Sequence, residues 1–192
     1  MRRYVFTSIR MALVTLVVLG LAYPLIVTGI AQVAFPAQAN GSLISSASGT
    51  VVGSALIGQR FTDAKYFHGR PSAAGADGYD ASASGASNLG PTSRVLIDRV
   101  RSDVAAAVSD NPGLSAGAVP VDMVTASGSG LDPDITLANA YAQVARVAKS
   151  RSLDESAVRG IVDAQAIGRQ FGVLGEPRVN VLLLNMALDA AK

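Results

Sequence analysis

Cysteine is absent from the 192 residues, which excludes disulfides, thiolate nucleophiles and Cys-based zinc sites together. Tryptophan is absent too, and the single histidine, His68, excludes any multi-histidine metal site. Charge is scarce: 16% of residues are Asp, Glu, Lys or Arg, against roughly 25% in an average soluble domain. With 49% hydrophobic residues and a mean hydropathy of +0.36, the chain is too apolar to be disordered and too greasy for an ordinary cytosolic globule. Its length suggests one domain.

The net charge of +2 at pH 7 is not a nucleic-acid footprint. Arg2, Arg3 and Arg10 all precede the hydrophobic segment, and without them 13 basic residues face 14 acidic ones. The basicity is an N-terminal flank, not a phosphate-binding face.

No charged side chain lies between Arg10 and Arg60. Within that span Met11 to Phe35 is nearly all apolar, broken only by Thr15, Gly20, Pro24, Thr28, Gly29 and Gln32. About 20 apolar residues cross a hydrocarbon core as a helix, so the segment is long enough with some tilt. Pro24 removes a backbone donor and predicts a kink. Pro24 and Gly29, with Thr28 and Ala31, offer a small-residue face for helix packing. The competing reading is a cleavable signal peptide, for which Ala37-Gln38-Ala39 supplies a small-residue cleavage pattern. A signal h-region runs about 7–15 residues, and this segment is longer, which favours an uncleaved anchor. Three arginines before the segment and none soon after it predict a cytoplasmic N-terminus and an outside domain. The expected organisation is therefore residues 1–10 as a cytoplasmic tail, 11–34 as a transmembrane helix in the cell membrane, and 35–192 as an extracytoplasmic α+β domain.

In that domain Pro36–Ser54 reads as a linker entering a strand over Thr50–Ile57. Lys65–Pro91 is a long Gly/Ser/Ala/Asp loop, and loops of that length are usually functional or mobile. Pro91-Thr92 opens a helix to about Val108, closed by Asn111-Pro112-Gly113. Val119–Thr125 reads as a strand. Asp132-Pro133 reads as a helix start, with cap and N1 proline in favoured places. Ser152-Leu153-Asp154-Glu155 matches a capping box opening a helix to about Ala166. Gly172–Pro177 is a turn-rich connector, and Val179–Ala191 an apolar helix. The helix pair over Ile135–Ala166 faintly mimics a DNA-binding helix-turn-helix, but its turn lacks the usual glycine and it reads as a packing motif.

Catalytic patterns are missing. His68 has serines nearby but no nucleophile elbow, and a structural hydrogen bond explains a lone loop histidine. There is no phosphate-binding loop with a following lysine. Ser127-Gly128-Ser129-Gly130 could form a backbone nest for an anion, although such loops are more often simple turns. Asp132 and Asp134 are assigned to helix capping. The segment Tyr66, Phe67, His68, Arg70, Pro71 and Ser72 holds two aromatics and an arginine, residue types enriched at interface hot spots, and is a candidate docking loop together with Ser87 and Asn88. The alternative is that Tyr66 and Phe67 anchor the loop to its own core. Arg70 is assigned to docking because burial of its charge needs a partner.

The ordered loop sequences resemble the C subunit of the bacterial Kdp-type potassium-transporting ATPase over almost the whole chain. The blocks are Tyr23-Pro24-Leu25, Phe35 to Ile44, Gly53 to Gln59 with Phe61, Tyr66 to Ala73, and Ser84 to Thr92. Val121-Asp122, Val124 to Pro133, Arg146 to Lys149, Arg178 to Val181, Leu184-Asn185 and Ala187 to Asp189 continue the match. Ala86 stands in place of a family glycine and Ala145 where proline is usual. Gln165-Ala166 replaces a frequent His-Thr pair, so a role of that histidine does not transfer. The resemblance implies an accessory, non-catalytic subunit needed for assembly of an ATP-driven potassium importer. Its implied partners are a channel-like potassium-binding subunit, a P-type ATPase catalytic subunit and a small membrane subunit. The family's C subunit is described as a catalytic chaperone that raises ATP affinity, so ATP is the implied ligand, and potassium is handled by the complex. Only about ten residues precede the anchor on the inner side, too few for a pocket of usual ligand size. A lid or brace over the outer mouth of the potassium subunit is the physically simpler role. The competing class is a stand-alone, membrane-anchored envelope binding protein that uses the 65–91 loop.

Overall fold

The computed structural model describes residues 1–46 and 48–191, and the chain divides into two compact units, Met1–Val52 and Gly53–Lys192. In the first unit α1 (Arg2–Val17) runs through a π-helical turn (Val18–Ala22) into α2 (Tyr23–Ala34). The resulting 33-residue helix is apolar enough to cross a membrane, with none of its most apolar window buried. At 1.5 Å per residue it is about 50 Å long, well beyond a hydrocarbon core of about 30 Å. Arg2, Arg3 and Arg10 are themselves helical. The irregularity expected at Pro24 takes the form of the π turn, which encloses Gly20, the residue whose carbonyl the proline ring would strike.

After the helix the expected linker holds a helical turn, α3 (Pro36–Ala39), and a strand, β1 (Leu43–Ser45). It pairs with β2 (Val51–Ser54), only half the strand expected over Thr50–Ile57. Ala55 onward turns away, and Gly58 N–H donates to the Leu131 carbonyl at 2.8 Å.

The second unit keeps the Lys65–Pro91 loop almost free of regular structure, with one 3₁₀ turn at Ala81–Ala83. Helix α4 (Arg94–Asp110) starts two residues later than Pro91-Thr92 suggests, after the N-cap Ser93, and Asn111 stops it. Three expectations fail here for identifiable reasons. Val119–Thr125 is not a strand: Pro120 has no N–H for a ladder, and the chain instead forms a helical turn, α5 (Val121–Val124). Asp132-Pro133 does not open a helix. Asp134–Thr136 is strand β3, and Thr136 caps α6 (Leu137–Arg151) by accepting from Asn139 N–H at 3.1 Å. Ser152 is not the N-cap of the next helix either. It closes α6 in the left-handed region (φ 54°), and α7 (Glu155–Gln165) begins after Asp154 with no side-chain cap. Gln165 hands over to β4 (Ala166–Ile167), and β5 (Arg178–Asn180) takes the residues expected to start the last helix, which is α8 (Val181–Ala190).

The sheet order is β3-β5-β4, antiparallel throughout, with Ile135 opposite Val179 and Val179 opposite Ala166. Val144, Val147 and Ala148 of α6 share an apolar stripe that meets Val158 and Val162 of α7 and Leu184 and Leu188 of α8. The α+β expectation holds, and into this core the irregular loop inserts one side chain, the fully buried Phe67.

Candidate functional site

The Tyr66–Ser72 segment is held on the core by side-chain amides that act as substitute strands. Phe67 N–H donates to Asn185 Oδ1 at 2.8 Å, and Asn185 Nδ2 donates back to the Phe67 carbonyl at 3.0 Å. Gln143 repeats the arrangement one residue on, accepting from His68 N–H at 2.8 Å and donating to the His68 carbonyl at 3.1 Å. Both amides are buried, so each satisfies two backbone groups that would otherwise lie unpaired. Gln143 also donates to Asn139 Oδ1 at 2.7 Å, and Asn139 donates to Asp122 Oδ2 at 3.1 Å. Arg146, 7% exposed, donates to the carbonyls of Ala64 and Tyr66 at 2.7 and 2.9 Å, to Asn111 Oδ1 at 3.1 Å and to Gln143 Oε1 at 2.6 Å. Among the described residues it makes no ion pair; carbonyl and amide dipoles hold the charge.

Tyr66 Oη donates to Asp189 Oδ2 at 3.0 Å, and the Arg151 guanidinium lies 5.1 Å from its ring centre. Arg70 has its charge partner within the domain. Its Nη1 meets Asp132 Oδ2 at 2.8 Å, and Thr125 O accepts from its Nε at 3.4 Å. Asp134 pairs with Arg178 at 2.7 Å. The capping roles expected for Asp132 and Asp134 are thus replaced by ion pairs, because the segment after Pro133 is a strand. Ser72 Oγ donates to the Gly130 carbonyl and accepts from Tyr79 N–H at 2.7 Å. Pro71 and Ser87 are half-buried, whereas Asn88 is exposed with φ 51°.

The Ser127–Gly130 loop stitches the long irregular segment to the domain. Ser129 O accepts from Gly85 N–H at 2.9 Å and from Ser84 Oγ at 3.0 Å. Two N–H groups that a nest would offer to an anion are engaged internally: Gly130 donates to Ser127 Oγ at 2.9 Å and Leu131 to Ser129 Oγ at 3.1 Å. Gly130 has φ 67°, and a Cβ there would sit 2.7 Å from both Ala74 N and Gly85 O, so only glycine fits. In the first unit Pro24 and Gly29 are exposed, and Gly29 has open space around it.

Two clefts flank His68. One, of about 320 Å³, opens between Asp103 and Asp110 of α4 and the loop residues Arg60, Arg70 and Tyr79. The other, of about 570 Å³, is lined by Asp110, Arg146 and Lys149 among others. His68 Nε2 lies 3.1 Å from the Asp63 carbonyl and 3.5 Å from Arg146 Nη1. Burial and the neighbouring Arg146 charge both pull its pKa below the ordinary value, so the ring is neutral near pH 7. Among the described residues no serine hydroxyl bonds to it, and the base–nucleophile pair of covalent catalysis is not assembled.

Reasoning from sequence gave no site role to Gln143, Asn185, Arg146, Asn139 and Asp122, the groups that build the site, although Asp122, Arg146 and Asn185 stand in the blocks of the family resemblance. The available signal was polar side chains on otherwise apolar helix faces: Gln143 and Arg146 share the face of Val147, and Asn185 interrupts Leu184 to Leu188. It also missed the tip after β4, where Phe171 is 93% exposed beside exposed Val173 and Leu174.

The family model for the K⁺-transporting ATPase c chain, KdpC, matches residues 5–190. The chain belongs to the KdpC family. A potassium-transporting ATPase KdpC subunit of Caulobacter vibrioides is 59% identical over 188 residues, 96% of this chain and 93% of that protein. The KdpC subunit of Koribacter versatilis is 54% identical over 192 residues, 100% of this chain and 97% of its own length. That of Gemmatimonas aurantiaca is 61% identical over 171 residues, 89% and 84% respectively. Membership in KdpC makes the chain an accessory subunit in potassium import.

Proposed function

We propose that this KdpC chain is a non-catalytic docking subunit, anchored by its N-terminal helix, whose folded domain braces the outer side of the potassium-translocating assembly. Its partners are the channel-like potassium-binding subunit, the P-type ATPase subunit and the small membrane subunit of the same pump. One observation carries the reading: the polar groups of the 66–72 and 127–130 loops are spent on holding those loops rigid. A preorganised surface of this kind lowers the ordering cost of docking, whereas a catalyst needs groups left free for substrate. The three leading arginines support a cytoplasmic N-terminus and an extracytoplasmic domain. ATP, the ligand associated with the family's chaperone role, would then lie across the bilayer from this domain. Any effect on nucleotide affinity passes through the partner subunits.

A stand-alone binding protein is the second reading, and the 320 Å³ cleft favours it, since ligand pockets begin near about 300 Å³. Kinetics of the assembled pump test the non-catalytic assignment. His68→Gln should leave ATP hydrolysis within about twofold of the unsubstituted pump. A drop of 10²–10⁴-fold, the usual size of lost general acid–base catalysis, would contradict it.

A further inference from the structure

The irregular turn in the long helix leaves backbone carbonyls short of helical donors, Gly20 because its donor four residues on is Pro24 and Leu19 for a further reason. Tyr23 N–H donates to the Val18 carbonyl, five residues back. Pro24 has no N–H to give. The Leu19 carbonyl therefore loses both helical donors: the one four residues on is engaged by Val18, and the one five residues on is a proline. From Leu16 to Val27 the sole polar side chain is Tyr23, whose hydroxyl stands too far out on a rigid ring to turn back on its own backbone.

Leu19 sits eight residues after Met11, about 12 Å into the apolar stretch at 1.5 Å per residue. In a bilayer that depth holds no water, and an unsatisfied carbonyl there is costly unless a neighbour supplies a donor. Gly20 lies next to it without a side chain, and a Cβ at that position would already touch Leu16 Cδ1 at 3.4 Å. A second helix can approach the backbone closely here.

We infer that the Leu19–Gly20–Pro24 notch receives a membrane helix of a partner subunit, which presents a hydroxyl or primary-amide side chain to the Leu19 carbonyl. The inference rests on the reading of the chain as one subunit of a membrane complex. A second copy of this chain fits the notch poorly, because its one hydroxyl at this depth, that of Tyr23, stands at the end of a rigid ring that reaches past the adjacent backbone. In the same orientation and at the same depth it offers Leu, Val, Ala, Ile and Gly, with Tyr23 alone polar. The occupant is therefore a different helix that carries Ser, Thr, Asn or Gln near mid-bilayer.

The cysteine-free chain makes the test clean, because one introduced cysteine carries one photoreactive group. Probes at Leu16, Tyr23 and Val27 share the notch face, and probes at Val14, Leu21 and Leu25 share the opposite one. In native membranes holding the assembled complex, the first set should cross-link to a polytopic subunit at least tenfold more than the second. Gly20→Leu, which fills the notch, should lower the yield of intact complex at least tenfold while the chain still inserts. Pro24→Ala, which returns an N–H to the helix, should lower it severalfold. Equal cross-linking from both faces, cross-links to a second copy, or unchanged assembly of Gly20→Leu would each overturn the notch while leaving the subunit reading intact. Failure of the unsubstituted chain to co-purify with any membrane protein would remove both.

Discussion

Phe67 shows how a single residue ties an irregular loop to a regular core. It is fully buried, so Phe67→Ala should cost about 3–5 kcal/mol, read from urea unfolding of the chain. Asn185→Leu keeps the volume but leaves the Phe67 N–H and carbonyl buried without partners, at a cost of about 1–3 kcal/mol for each. A loss under 1 kcal/mol for Asn185→Leu would mean that the amide clamp does not hold the loop. His68 gives the domain a pH dependence of known sign. Its folded pKa lies below the ordinary 6.5, because of burial first and Arg146 second. As pH falls below about 6.5 the unfolded chain takes up a proton that the folded one refuses, so stability declines from there down to the folded pKa. His68→Gln should flatten this part of the stability profile between pH 7 and 5. Asp63, whose carboxylate accepts from Lys65 N–H, and Asp80, which accepts from Ser82 Oγ and then Ser82 N–H, have lowered pKa values too, so their contribution is likewise lost as pH falls, in a lower window below about pH 4.

At the scale of elements, the loops carry more of the architecture than their composition suggests. Gly130→Ala forces a Cβ against two backbone atoms and breaks the stitch to Ser72 and Gly85, whereas Gly113→Ala meets only open space at a similar positive φ. Thermal unfolding should therefore place Gly130→Ala well below Gly113→Ala, and equal melting temperatures would contradict the stitching role. The same contrast explains what the sequence made legible. The membrane-length helix, α4 and the general run of α6 to α8 follow from hydrophobic spacing that extends over several turns. The three-residue strands β3 and β5 are too short for any period, and tertiary pairing alone makes them strands. Val121–Val124 carried β-branched residues, yet Pro120 and the buried Asp122 decided for a helical turn: the carboxylate receives Thr136 N–H at 2.7 Å and Asn139 Nδ2 at 3.1 Å. The 66–72 segment could be singled out as a candidate docking loop from its aromatics and arginine. Its inward orientation could not, since Asp132, the partner of Arg70, lies 62 residues away.

For the whole molecule, the orientation proposed from the arginine flank, N-terminus inside and domain outside, is open to test at both ends of the chain. A reporter fused after residue 192 should be active only outside the cytoplasm, and N-terminal sequencing of the membrane-bound protein should begin at the start of the chain. A mature protein beginning at Asn40 would convert the anchor into a signal peptide. Val17→Arg, near the helix centre, should cost about 2.5–3.5 kcal/mol of insertion and deplete the chain from membranes. Membership in the pump is tested most directly by purifying the full chain, tagged at its C-terminus, from native membranes in mild detergent. The predicted result is a fixed-ratio complex containing a P-type ATPase subunit and a large polytopic potassium-binding subunit. A lone chain, saturable with a small metabolite in the cleft beside His68, would contradict it.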